Sequence, residues 1–166
     1  FPPMANERIL FMNERLDIKK ELKRKFAKIT LDYCGHLLEN HINKTDEQLQ
    51  RRLKDNRNLR VASSFYGEKS QIMQTIKEDL LSEDSLDQLT DYFLDQEWKD
   101  PYFLYFQIPE GIKAAAYKFD HKHNWKKGAL VCEEYIVVIK KKPDYLFSGN
   151  WGIASIYPFP TGLIWF

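Results

Sequence analysis

The sequence predicts an α+β fold, with helices first and a mostly antiparallel β-sheet after them. Three observations point there. Apolar residues recur at three- and four-residue steps through roughly the first 95 positions. From Pro101 onward the period shortens and the runs become rich in β-branched and aromatic residues. Cys34 and Cys132 are the only cysteines, neither within a CxxC spacing, so the fold is expected to stand without disulfides. A chain of 166 residues, 43% of them hydrophobic, can bury a sizeable core as one domain. We expect residues 1–34 to be an N-terminal helical segment of that same domain.

Taken in order, Ile18, Leu22, Phe26, Ile29 and Tyr33 form an apolar stripe over a helix from about Ala5 to Asn40. Gly35 is placed to divide it into a long helix and a short one through His36-Leu37-Leu38. Thr45-Asp-Glu-Gln48 has the form of a capping box and opens a helix over about 46–55, with Leu49 and Leu53 on its apolar face. Leu59 to Phe65 reads as a short strand or extended link. Helices over about 68–81 (Ile72, Ile76, Leu80) and 85–96 (Leu86, Leu89, Phe93) follow. Tyr102–Ile108, a Pro-Glu-Gly turn and Ile112–Phe119 are expected to form a hairpin. Asp120–Gly128 is a polar loop carrying His121 and His123. Val131–Lys140 is the clearest strand, and Lys140–Tyr145 makes a basic turn. Trp151–Tyr157 is the last strand, stopped by Pro158.

Net charge is +1, but it is segregated. Residues 1–60 hold 14 Lys and Arg against 9 Asp and Glu, whereas residues 61–110 hold 3 against 11. Residues 111–166 hold 8 against 4. Such runs are commonly solvated faces. Together they also permit a basic cleft between the first and last thirds, open to a polyanion. No run approaches the ~18 apolar residues of a membrane helix, and Phe1–Glu7 lacks the pattern of a signal peptide. We therefore expect no spanning segment and no export signal of the chain's own.

The stretch His41–Arg52 holds the most suggestive chemistry. His41, beside a helix start, is expected to titrate near neutrality as a general base does, although a lone loop histidine is commonly a surface residue. Arg52 can clamp a phosphate through two N–H groups. Lys44, in the turn before the cap, can steady an anion near the helix N-terminus or simply be solvated, and Thr45 is grouped with it as a candidate substrate contact. On the last strand, Ser155 and Tyr157 are two apart and share a face, where two hydroxyls can donate to a phosphate or hold a base, although Tyr157, and Ser155 still more, is commonly an ordinary residue in such a place. His121 and His123 have only Asp120 nearby, so no metal site and no cofactor is expected. His36 reads as structural, on a helix between apolar residues. P-loop, GxSxG and HExxH patterns are absent.

Gly35-His-Leu-Leu-Glu-Asn-His41-Ile-Asn-Lys-Thr-Asp-Glu-Gln-Leu-Gln-Arg-Arg-Leu53, followed by Val61-Ala-Ser-Ser-Phe65 and Ala154-Ser-Ile-Tyr-Pro158, resembles a toxin family. It is the RNase A-like domain at the C-terminus of bacterial contact-dependent growth inhibition (CdiA) proteins. That family's pattern is Gly-His-x4-His-Val-Gly-Lys-Thr-Asp-x-x-Leu-x-x-Arg-Leu, then Ala-Ser-Thr/Ser-Phe, then a strand with Thr-x-Tyr-Pro. The resemblance implies an RNase A-like fold without disulfides over 35–166. It puts the family's catalytic His at His41, its active-site Arg at Arg52 and its hydroxyl pair at Ser155 and Tyr157. Ser155 replaces the usual Thr. Asn43 replaces the usual Gly, at a turn where Asn tolerates left-handed φ.

The implied activity is metal-independent endoribonuclease chemistry, a 2′-hydroxyl attacking the adjacent phosphorus while DNA is spared. His41 would be the base, or else the acid with another group as base. Lys44 and Thr45 would help to bind substrate. The resemblance also implies export as the C-terminal part of a larger protein, action in the target-cell cytoplasm and a cognate immunity protein. A non-catalytic RNA-binding or interaction module remains the alternative.

Overall fold

The computed structural model describes residues 2–95, 101–118, 130–140 and 151–160. Five helices precede most of the sheet among them: α1 (Pro2–Lys28), α2 (Leu37–His41), α3 (Asp46–Asp55), α4 (Lys69–Leu80) and α5 (Glu83–Leu94). The strands are β1 (Val61–Tyr66), β2 (Tyr102–Gln107), β3 (Lys113–Lys118), β4 (Leu130–Lys140) and β5 (Gly152–Pro160). All named strand pairs are antiparallel, so the α+β reading holds. The first helix ends earlier than its apolar stripe suggests. β-branched Ile29 and Thr30 lead out of it, and a 3₁₀ turn over Leu31–Tyr33 precedes α2.

The expected hairpin between the strands flanking Pro109-Glu-Gly111 does not form. Instead β2 pairs with β4, from Tyr102↔Ile139 to Gln107↔Glu134, and β3 pairs with β1, from Val61↔Lys118 to Tyr66↔Lys113. The eleven-residue β4 is long enough to take several partners: β2, β5 and, at its start, β3. β5 runs through Pro158 to Pro160 rather than stopping. It pairs only with β4 among the named strands, and an edge strand can place a proline where no ladder N–H is needed.

One face of this sheet is apolar and closed. Leu104, Val137 and Ile156, in register across β2, β4 and β5, are buried with Leu22 and Phe26 of α1, Ile72, Ile76 and Leu80 of α4, and Leu86 and Leu89 of α5. A second, smaller cluster holds α3 down: Leu49 and Leu53 pack on Ala62 and Tyr117, paired residues of β1 and β3. The i, i+4 apolar face of α3 thus fixes which way Arg52 turns. Part of the acidic surplus also finds its partners here, since Arg15 of α1 binds Asp91 and Lys19 binds Glu83 and Asp87 of α5. His121, His123 and the basic turn after Lys140 lie outside the described residues. No helix among the described residues is long and apolar enough to cross a membrane.

Candidate active site

The turn between α2 and α3 brings His41 to the sheet. Ile42 bridges to Phe65 of β1, and the Asn43 N–H donates to the Phe65 carbonyl at 2.8 Å. Asn43 has φ +52, the left-handed conformation its glycine-like position suggests. Its side chain adds what glycine cannot: Nδ2 donates to the Gly67 carbonyl at 2.8 Å and Oδ1 accepts from the Gly67 N–H at 3.0 Å. This clamp holds the turn against the end of β1.

Held there, His41 is 6% exposed, and its Nδ1 lies 2.9 Å from the Ser63 carbonyl. A carbonyl only accepts, so Nδ1 carries the hydrogen and Nε2 of the neutral ring keeps its lone pair. Burial lowers the His41 pKa to about 4; the Ser63 bond opposes this, while the charges of Arg52, His36 and Lys44 reinforce it. That differs from the near-neutral titration expected of a loop residue, because the imidazole is enclosed and surrounded by cations.

The low pKa has a consequence for stability. The unfolded chain takes up the proton near pH 6.5 and the folded one near pH 4, so stability is complete above 6.5 and lost as pH falls between those values. The loss should approach about 3 kcal/mol at pH 4. Urea denaturation of wild type and His41→Gln across that range measures it. A flat wild-type profile, or the same slope in both proteins, would contradict it.

Opposite stands Arg52. Its guanidinium is half-buried, and Nη1 is buried with no hydrogen-bond partner among the described residues. Burial lowers its pKa and Glu39 partly offsets this, but a guanidinium stays charged in proteins. A half-buried cationic donor of this kind has the chemistry to bind an anion.

The third element is β5. Its Ser155 and Tyr157 pair with Val138 and Ile136, with Ala154 as an extra bulged residue before Ser155. The Tyr157 and His41 ring centroids lie 6.0 Å apart. Burial, and next the neighbouring Tyr105, raise the Tyr157 pKa, so its hydroxyl stays a proton-bearing donor.

His41, Arg52, Ser155 and Tyr157 line one cleft of about 420 Å³. Asn58, Leu59, Arg60, Val61 and Ser63 complete its wall. Sequence reasoning named none of these five as a site residue, although Val61 and Ser63 stand in the Val61–Phe65 motif that carries the resemblance. The Ser63 contribution is partly a backbone carbonyl, for which no residue type is a signal. Lys44 and Thr45 are not among the lining residues. The Lys44 N–H donates to Ser64 Oγ at 3.0 Å. Thr45 caps α3, accepting from the Gln48 N–H at 3.1 Å while its own N–H donates to Gln48 Oε1 at 2.9 Å. His36 is not inside a helix: it is the exposed N-cap of α2 with φ +56, 3.5 Å from Glu39.

A remaining residue shapes the site from behind. Gly35 has φ +56 and lies against β5 so closely that a Cβ would sit 2.8 Å from Ser155 Cα, Ser155 C and Ile156 N. Among the described residues no three His, Cys, Asp or Glu side chains are grouped to hold a metal ion.

Comparison with known proteins gives two matches. Residues 35–132, more than half the chain, match the family model described as the bacterial CdiA-CT RNase A domain. A solved structure, a CdiA-CT/CdiI complex from Y. kristensenii 33638, superposes with a TM-score of 0.55 at 21% identity, covering 76% of this chain and 100% of that one. At that identity the likeness is one of fold. No curated protein matches the chain. The family match begins at Gly35, takes in His41 and Arg52 and ends at Cys132, before Ser155 and Tyr157; the chain belongs to the bacterial CdiA-CT RNase A domain family.

Proposed function

We propose that this domain is a toxin endoribonuclease that cleaves RNA by metal-independent transphosphorylation from the 2′-hydroxyl. The observation that carries the reading is the meeting, in one cleft, of a neutral imidazole and a half-buried guanidinium from the neighbouring α2 and α3 with two hydroxyls from the distant β5. His41 Nε2 takes the proton from an RNA 2′-OH, and O2′ attacks phosphorus as the bond to O5′ breaks. Arg52 faces the charge that develops on the phosphoryl oxygens, where a pre-placed donor in a low-dielectric site is worth most. Ser155 positions the phosphate, and Tyr157 delivers its proton to the leaving O5′. Alkoxide is a far stronger base than phenolate, so this transfer runs downhill although Tyr157 is poorly matched to neutral pH. Lys44, whose charge is felt at His41, adds positive charge to the surroundings of the cleft. The products are a 2′,3′-cyclic phosphate and a 5′-hydroxyl.

Family membership supports the further reading that the domain is carried as the C-terminal part of a larger exported protein and acts in the cytoplasm of a competing bacterium. The related fold is known in complex with CdiI, so we include a cognate immunity protein as partner. Purified protein is expected to cleave RNA undiminished in excess EDTA. Loss of cleavage on chelation, restored by adding a divalent ion, would overturn the metal-independent scheme.

A further inference from the structure

The face of the sheet opposite the core is not all enclosed. Ser155 pairs with Val138, which pairs with Phe103; Tyr157 pairs with Ile136, which pairs with Tyr105. Directly paired residues point to one side of a sheet, so each cleft hydroxyl heads a row that ends on an aromatic ring of β2. Val138 and Ile136 between them are buried, whereas Phe103 and Tyr105 are 41% and 61% exposed. Their ring centroids are 6.5 Å apart with planes 36° from parallel. Two strand spacings, about 10 Å, separate β2 from β5, and Tyr105 is near enough to raise the Tyr157 pKa.

We propose that Phe103 and Tyr105 form a stacking platform for an unpaired base of the RNA strand flanking the scissile phosphate, which rests on the ribonuclease reading of the cleft. Three features favour RNA as the occupant. The two rings continue the cleft in register, so a strand whose phosphate lies between Arg52 and Tyr157 has its next base within reach of them. Neither ring position is charged, and aromatic faces accept any base by stacking without sequence readout. The positive charge needed for the backbone stands at the other end of the rows, at Arg52. The platform therefore makes the enzyme prefer single-stranded substrates longer than a dinucleotide.

The test uses Tyr105→Ala, Phe103→Ala and Tyr105→Trp in the whole domain, with folding checked by circular dichroism. Anisotropy with a fluorescent 2′-O-methyl oligonucleotide, which offers no nucleophile, reads binding apart from cleavage. Tyr105→Ala is expected to weaken single-strand binding roughly 5- to 150-fold, with Tyr105→Trp restoring it and duplex binding shifted little. The ratio of kcat/KM for an oligonucleotide to that for a dinucleotide should fall by a similar factor. Unchanged single-strand affinity, or equal loss for single strands and duplexes, would overturn the platform. So would variants that keep RNA affinity but lose capture of the immunity protein, which would make this face a protein-docking surface. Wild type that binds through Tyr105 but cuts nothing would uphold the platform and sink the ribonuclease reading instead.

Discussion

Replacing His41 with alanine is expected to lower RNA cleavage by about 100- to 10,000-fold, the usual contribution of a positioned proton-transfer group. At neutral pH the enclosed ring is neutral, and its Nδ1–H is committed to the Ser63 carbonyl. Only Nε2 is free to act, and it is in its base form. The substitution also leaves the Ser63 carbonyl without that donor, at a cost of about 1–3 kcal/mol. Inactivity alone is therefore ambiguous, and rescue by added imidazole separates the two effects. A chemical role gives partial recovery that follows the concentration of neutral imidazole; a structural one gives none. A folded His41→Ala protein that cleaves at the wild-type rate would remove His41 from the chemistry.

The second large effect is expected far from any reacting atom. Gly35→Ala places a methyl group 2.8 Å from the β5 backbone at Ser155 and Ile156, at a φ of +56. The left-handed backbone costs an alanine about 1–2 kcal/mol, and forcing extra volume into a packed contact about 1–3 kcal/mol more. Because the obstructing atoms are main chain, relief comes by moving the Gly35 turn and β5 apart, and β5 carries Ser155 and Tyr157. We expect a drop of about 2–5 kcal/mol in urea denaturation, and a fall in kcat in the protein that still folds. A variant within 0.5 kcal/mol of wild type and fully active would show that this contact does not set the strand's position.

Much of this was legible in the residues, and the reasons are local. The α3 boundaries and cap follow from Thr45, Gln48 and the Leu49–Leu53 spacing, since a capping box is satisfied within four residues. β4 follows from its run of β-branched residues. Strand pairing was not legible: a Pro-Glu-Gly turn between two apolar runs looks like a hairpin, yet β4, supplied later in the chain, takes both strands. Pro158 looked like a strand end only while β5 was not known to be an edge.

The site divides in the same way. His41, Arg52, Ser155 and Tyr157 could be singled out by residue type, motif spacing and resemblance. Their convergence depends on α3 lying on the β1–β3 pair and on β5 lying beside Gly35, both tertiary facts. The depressed His41 pKa was hidden for the same reason, because enclosure is a property of the folded surroundings rather than of the loop sequence. Ser63 enters through its carbonyl and Asn58 through its place in the cleft wall, roles that no residue pattern announces.

The proposed reaction depends on a single atom of the substrate, the 2′-oxygen. The most direct measurement is therefore cleavage of an otherwise all-deoxy strand that contains one ribonucleotide. Purified domain should cut it once, immediately 3′ of the ribose, leaving a 2′,3′-cyclic phosphate on one fragment and a 5′-hydroxyl on the other. Cutting of the all-deoxy control, or a 5′-phosphate at the new end, would contradict transphosphorylation by the His41–Arg52–Ser155–Tyr157 site.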